Sequence, residues 1–233
     1  DFKGDLDVSQ KLPTKEDIEK CADLVVLDVD GKSRPFKTIY SGEGAAQRQL
    51  VIFVRHFFCG NCQEYLRTLC ASITPESLLS LPTPTFLTII GCGRPELIQM
   101  YAETTNCPFP IFADPTTALY SNLGMTRTLS LGPKKPDYIK TGFLQTTVQS
   151  IFQGIRSGSG AVKGGDIRQV GGEMLWEEGR VVWCHRMKNT RDHAEVEELR
   201  QVLGLDGTGE GRRSNGGFRA MARRSVSWGR KSS

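Results

Sequence analysis

Three histidines are scattered through 233 residues, and only one pair of cysteines, at positions 59 and 62, is closely spaced. A structural zinc site wants two such pairs, or one pair with two well-spaced histidines. His56, His185 and His193 would complete a site only through an unusual arrangement, so no metal is expected. No run of 18 apolar residues occurs, which argues against a membrane-spanning helix. The amino end shows no charged-then-apolar leader, although the chain opens on Asp1 rather than Met; a cytoplasmic location is the expectation. Gly91-Cys92-Gly93 echoes a dinucleotide loop, but Glu96 stands where the third glycine belongs, so no nucleotide cofactor is expected. No internal repeat is evident. Seven cysteines is an odd number without framework spacing, which points to a reducing compartment rather than a disulfide scaffold.

Charge is unevenly placed. From Asp206 to Ser233 seven basic residues face only Asp206 and Glu210, a balance of +5, so the rest of the chain sums to −1 within the total of +4. This Gly/Ser/Arg-rich stretch, 206–233, holds too little apolar material to pack and reads as a disordered tail. A solvated tail is the plain reading, and nucleic acid is not an expected partner. Arg223-Arg224-Ser225-Val226-Ser227 also resembles a basic-directed kinase site, a common pattern. Residues 1–13 read as an amino-terminal tail and 14–205 as one domain, large enough to bury a core without staples.

What is present is Cys59-Gly60-Asn61-Cys62, where a strand meets a helix. Leu50 to Val54 is a continuous, largely β-branched apolar run that reads as a buried strand. Gln63 to Leu69 carries Leu66 and Leu69 at helical spacing. Cys59 therefore falls at or just before a helix start, where free N–H groups and the dipole favour an anion. A thiolate is such an anion, so Cys59 is the expected nucleophile, with Cys62 one turn further in. Half a zinc site and two ordinary core cysteines are the competing readings.

Elsewhere, Thr14 and Asp17 mark a capped helix through Cys21, and Leu24 to Asp28 a strand that turns at Asp30-Gly31 toward Phe36. Thr85 to Ile90 and Phe109 to Ala113 read as strands. Pro95 and Pro115 each open a helix, and a longer one is expected over Ile139 to Ile155. Gly158 to Gly172 reads as a loop near the site, and Pro84 as a turn proline. Glu173–Trp176 and Val181–Cys184 form a hairpin about Glu178-Gly179, and Asp192 caps a last helix closed by Gly204. Cys70, Cys92, Cys107 and Cys184 default to core. His185, Arg186 and Arg191-Asp192-His193 are either surface charges or the frame of the site.

In Phe53–Cys62, Phe109–Pro115, Leu119–Met125 and Gly165–Gly172 the chain resembles peroxiredoxin-like proteins of the AhpC/TSA antioxidant family. The resemblance spans about residues 20 to 205. It implies an α/β thioredoxin-like (peroxiredoxin-like) mixed sheet covered by helices on both faces, and thiol-dependent reduction. The family places Pro and Thr or Ser ahead of the cysteine, as Pro-x-x-x-Thr-x-x-Cys; here Ile52 and His56 stand there. His56 can donate to a peroxide, pair with the Cys59 thiolate, or simply pack. The family's arginine before the late hairpin falls at Gln169 or Val170, leaving Arg168 or Arg55 to supply the cation.

The expected chemistry is reduction of a peroxide or small organic O–O substrate by Cys59, resolution by Cys62, and recycling by thioredoxin or glutathione. Phe57, Phe58 and Phe109 are candidates to line an apolar substrate site. The alternatives are a protein thiol-disulfide oxidoreductase, a tailoring enzyme, and a non-catalytic adaptor on the same fold.

Overall fold

The computed structural model describes residues 7–42, 45–139 and 164–206. The expected helix beyond Ile139, part of the 158–172 loop and the basic tail from 207 onward lie outside the described residues.

Strand β3 (Arg48–Phe53) lies inside the sheet because its run from Leu50 to Phe53 has no polar face. Leu50 and Ile52 point into one buried cluster and Val51 and Phe53 into the other. Alternate side chains take opposite faces, so a continuous apolar run suits a strand covered on both sides. Each such side chain contributes roughly 1.5–3 kcal/mol of transfer free energy when fully buried. Beside it run β4 (Thr85–Gly91) in parallel and β6 (Gly172–Glu177) antiparallel. With β1 (Val25–Leu27), β2 (Ser33–Pro35), β5 (Ile111–Ala113) and β7 (Arg180–Arg186), the seven-stranded order is β2-β1-β5-β4-β3-β6-β7.

Helices α3 (Gly60–Ser72), α5 (Ile98–Thr105) and α7 (Val196–Leu203) feed the cluster on one face. Helices α1 (Lys15–Ala22), α2 (Lys37–Tyr40) and α6 (Ala118–Asn122) feed the other. The parallel β3-β4-β5 unit flanked by the β6–β7 hairpin is a thioredoxin-like mixed sheet covered on both faces, as the resemblance implied.

Local signals account for most boundaries. The Thr14–Asp17 capping box starts α1, and Gly204, in the left-handed region at φ 82°, closes α7. A second box, Thr74 with Ser77, starts the short α4 (Pro75–Leu79), which along with α2 the sequence reading left unassigned.

Two helix starts need correction. Pro115 does not open α6, which begins at Ala118. Asp114 holds the intervening turn, accepting from the Thr116 N–H and hydroxyl and from the Leu119 N–H. Nor does Asp192 cap the last helix; its carboxylate accepts from the Lys188 N–H at 2.8 Å, and Glu195 takes the cap position. Residues 192–195 stay outside any helix or strand, and within them His193 and Ala194 are tied to Glu173.

Gly91 and Gly93 have a packing role. A Cβ at Gly91 would lie 2.2 Å from the Phe57 ring, and one at Gly93 would lie 2.4 Å from it. The aromatic ring rests on the bare backbone at the end of β4, beside the loop that carries Cys59.

Tyr120 ties that loop to the sheet. Its buried hydroxyl lies 2.7 Å from the Val54 carbonyl and 2.9 Å from that of Ile90. Tyr120→Phe is expected to cost about 1–2 kcal/mol in urea unfolding, since it removes a buried donor from carbonyls that cannot reach water.

Candidate active site

The loop between β3 and α3 is tightly held. Val54 N–H donates to Ile90 O at 2.8 Å, Phe57 N–H to Gly164 O at 3.1 Å, and Cys59 N–H to His56 O at 2.9 Å. Cys59 is the N-cap of α3 with extended backbone (φ −74°, ψ 105°), while Cys62 lies in the first helical turn. Both are free thiols. Cys59 is 4% exposed and Cys62 fully buried.

Arg55 reaches the Cys59 sulfur with Nη1 at 3.0 Å. Its other donors bind backbone: Nε the Gln169 carbonyl at 3.2 Å, and Nη2 the Ile167 carbonyl at 2.6 Å. Three fixed partners leave the fork little rotational freedom. Burial works against its charge, but the adjoining Cys59 and Cys62 sulfurs outweigh that and hold its pKa above the ordinary value.

The two thiols are driven apart in acidity. The hydrogen bond from the Cys62 thiol lowers Cys59 well below the usual thiol value, against the effect of burial. The charge of Arg55 and the Cys62 N–H act in the same direction. Cys62 is raised well above the usual value, first by burial and then by the neighbouring Cys59. At neutral pH this arrangement favours a thiolate on Cys59 and a proton on Cys62. His56 is buried, and burial lowers its pKa, so it is neutral at neutral pH and Arg55 is the main cation at Cys59.

Behind Cys62 stands a group the sequence did not assemble. His193 Nε2 lies 3.3 Å from the Cys62 sulfur, and its Nδ1 lies 2.6 Å from Glu173 Oε1. The side chains of His193 and Glu173 are both 0% exposed. Tyr65 stacks flat on the imidazole at 4.2 Å between centroids. Glu173 stands opposite Ile52 in the sheet, 114 residues along the chain from Cys59. No local pattern could have paired it with His193 or Cys62; an acidic residue inside an apolar strand was the only hint.

The remaining candidates fall elsewhere. Arg168 is exposed, and its N–H is bound to Asp166. Gln169 is buried, with its amide donating to Thr126 O and Val170 O, and its backbone carbonyl receives Arg55. Phe57, Phe58 and Phe109 are 0%, 6% and 7% exposed, so they pack beside the site as core. Cys92 is buried, and Cys70 and Cys107 are half-buried and packed against the cluster that holds Cys59 and Cys62. Arg186 is buried, tethering the carbonyls of Ser9, Lys11 and Leu123. His185 meets Asp192, and Arg191 donates to Leu131 O. Neither of the two roles left open for Arg186 fits; it ties down the amino-terminal segment. Among the described residues no cluster of three or more His, Cys, Asp or Glu is placed to hold a metal, and no helix is long and apolar enough to cross a membrane.

Fold and site define a thioredoxin-fold protein with a reduced Cys-x-x-Cys pair at a helix amino end. The chain belongs to the AhpC/TSA antioxidant enzyme family, whose model matches residues 72–189, just over half its length and beginning after the cysteine pair. It is 30% identical over 206 residues to peroxiredoxin-like 2C of Takifugu rubripes, covering 83% of each chain. It is 29% identical over 185 residues to peroxiredoxin-like 2C of Homo sapiens, covering 79% of each. Among solved structures, peroxidoxin BcpB of Mycobacterium tuberculosis is similar, with a TM-score of 0.49 at 12% identity, covering 87% of this chain and 99% of that one.

Proposed function

We propose that this protein reduces peroxides through a thiolate on Cys59. The observation that carries this reading is the 3.0 Å contact between the Arg55 guanidinium and the Cys59 sulfur at the amino end of α3. Both features favour the anionic, nucleophilic form of the thiol. The thiolate attacks one peroxide oxygen, the O–O bond breaks, and the leaving oxygen takes a proton to depart as water or an alcohol. Cys59 becomes a sulfenic acid. The Cys62 thiol then condenses with it, forming the S–S bond and releasing water. Two thiols from thioredoxin, or two glutathione molecules, return the pair to the reduced state.

The near-complete burial of Cys59 favours a small peroxide over a protein disulfide as oxidant, because a bulky disulfide needs open approach to the sulfur. The extended backbone of Cys59 supports closure with Cys62, since its side chain projects from outside the helical geometry while its carbonyl keeps the first helical bond, from Gln63 N–H at 3.0 Å.

The test is mass spectrometry after hydrogen peroxide and an organic hydroperoxide. Wild type is expected to gain an intramolecular Cys59–Cys62 disulfide. Cys62→Ser is expected to carry sulfenic or over-oxidised Cys59, and Cys59→Ser to remain reduced at Cys62. An unmodified Cys59 in the Cys62→Ser protein would overturn the proposal. Insulin reduction by a peroxide-inert protein would favour protein disulfide exchange instead.

A further inference from the structure

The reading of Cys62 as the resolving thiol leaves one chemical problem. Only a thiolate attacks a sulfenic acid readily, yet Cys62 is buried at 0% exposure beside a second sulfur, which favours its protonated form. Something within hydrogen-bond reach must take the proton. His193 Nε2, at 3.3 Å, is placed to do so. The tautomer follows from the partners: an ionised carboxylate only accepts, so the 2.6 Å contact with Glu173 puts the imidazole proton on Nδ1 and leaves the Nε2 lone pair facing sulfur. Glu173 is fixed in turn by the Ala194 N–H at 3.2 Å. Tyr65, stacked on the ring, sets its plane.

We propose that His193, oriented by Glu173, is the general base that activates Cys62 for disulfide closure. This inference rests on the proposed roles of Cys59 and Cys62. In the step, the Cys62 proton passes to His193 Nε2. The Cys62 thiolate attacks the Cys59 sulfur, the S–S bond forms and the Cys59 S–O bond breaks. The departing hydroxide takes the proton from the imidazolium and leaves as water. Cys62 is oxidised by the oxygen equivalent already carried on Cys59, and the base ends as it began. Glu173 is a positioning residue: it fixes the tautomer and stabilises the transient imidazolium, as a carboxylate does for a histidine base generally.

The experiment follows two rates after mixing reduced protein with peroxide: dimedone-trapped sulfenic acid on Cys59, and intramolecular disulfide by quenched mass spectrometry. In His193→Gln, closure is expected to slow about 100-fold, the lower range for loss of a general base, so that sulfenic acid accumulates on Cys59. Glu173→Gln keeps a hydrogen bond but loses the charge and is expected to slow closure about tenfold.

The pH profile separates the two proteins. The groups facing His193 are Glu173 from β6, Cys62 and Tyr65 from α3, and Tyr138 from the segment after α6. In His193→Gln, with no built-in base, closure should climb about tenfold per pH unit as hydroxide takes over the proton transfer, a steeper dependence than in wild type. If the two proteins share the same pH dependence, or His193→Gln closes at the wild-type rate, the base assignment fails alone. If wild type forms no Cys59–Cys62 disulfide, the resolving role of Cys62 fails and takes the inference with it.

Discussion

Arg55→Met is expected to slow oxidation of Cys59 by hydrogen peroxide by about 10²–10³-fold, the usual loss when a preorganised donor is removed from developing negative charge. The guanidinium sits 3.0 Å from the sulfur and is pinned by the carbonyls of Gln169 and Ile167. It is 6% exposed, so bulk water does not replace it when it is removed. The pH dependence has a definite sign. Cys59 is held below the usual thiol value, so in wild type alkylation by iodoacetamide stays fast at neutral pH and falls only as pH drops through the lowered value. In Arg55→Met the midpoint should move up toward the ordinary thiol range of about 8.5. The hydrogen bond from Cys62 persists in that variant, so the shift should be partial. An unmoved midpoint would show that Arg55 does not hold the thiolate. Arg55→Lys is expected to recover only part of the rate, because an ammonium cannot span both carbonyls and the sulfur from one rigid fork. Leaving the two carbonyls unpaired should also cost about 1–3 kcal/mol in urea unfolding.

Gly171→Ala is expected to destabilise the fold by about 3 kcal/mol or more, read as a lowered urea midpoint. A Cβ there would stand 1.7 Å from the Phe53 carbonyl oxygen and 2.7 Å from its carbon. These are backbone atoms at the end of β3 and cannot swing aside as a flexible side chain would. Gly171 also pairs with Met187, accepting from its N–H at 3.1 Å, so relief in one direction breaks the hairpin connection. The damage should extend to the site. Gln169, whose carbonyl anchors Arg55, lies two residues upstream, and Gly172 begins the strand that carries Glu173. Variant protein that does fold is therefore expected to show slower Cys59 alkylation at neutral pH.

The part of the site legible in the sequence is the part built by neighbours along the chain. A β-branched run, a Cys-x-x-Cys and a helical pattern follow one another, so the strand end, the N-cap cysteine and its partner one turn in came from spacing alone. The capping box at Thr14 and the turn at Asp30-Gly31 were equally local. The two helix starts went astray where a side chain reached past its own turn. Asp114 directs its carboxylate to Thr116 and Leu119, and His193 stays outside the helix and meets Glu173. Arg168 and Arg55 had equal standing as candidate cations, and only the path of the chain shows which one meets the sulfur.

Chain order by itself determined the buried strand β3, the sheet class and the two sulfurs at a helix mouth, because hydrophobic period and helix-end chemistry act over a few residues. Tertiary structure alone decided what surrounds each sulfur: Arg55 locked by carbonyls from residues 167 and 169 beside Cys59, and the His193–Glu173 pair behind Cys62. Those contacts join segments more than a hundred residues apart in the chain. The His193–Glu173 pair exists because packing β6 against β3 buries a carboxylate, which must find a partner.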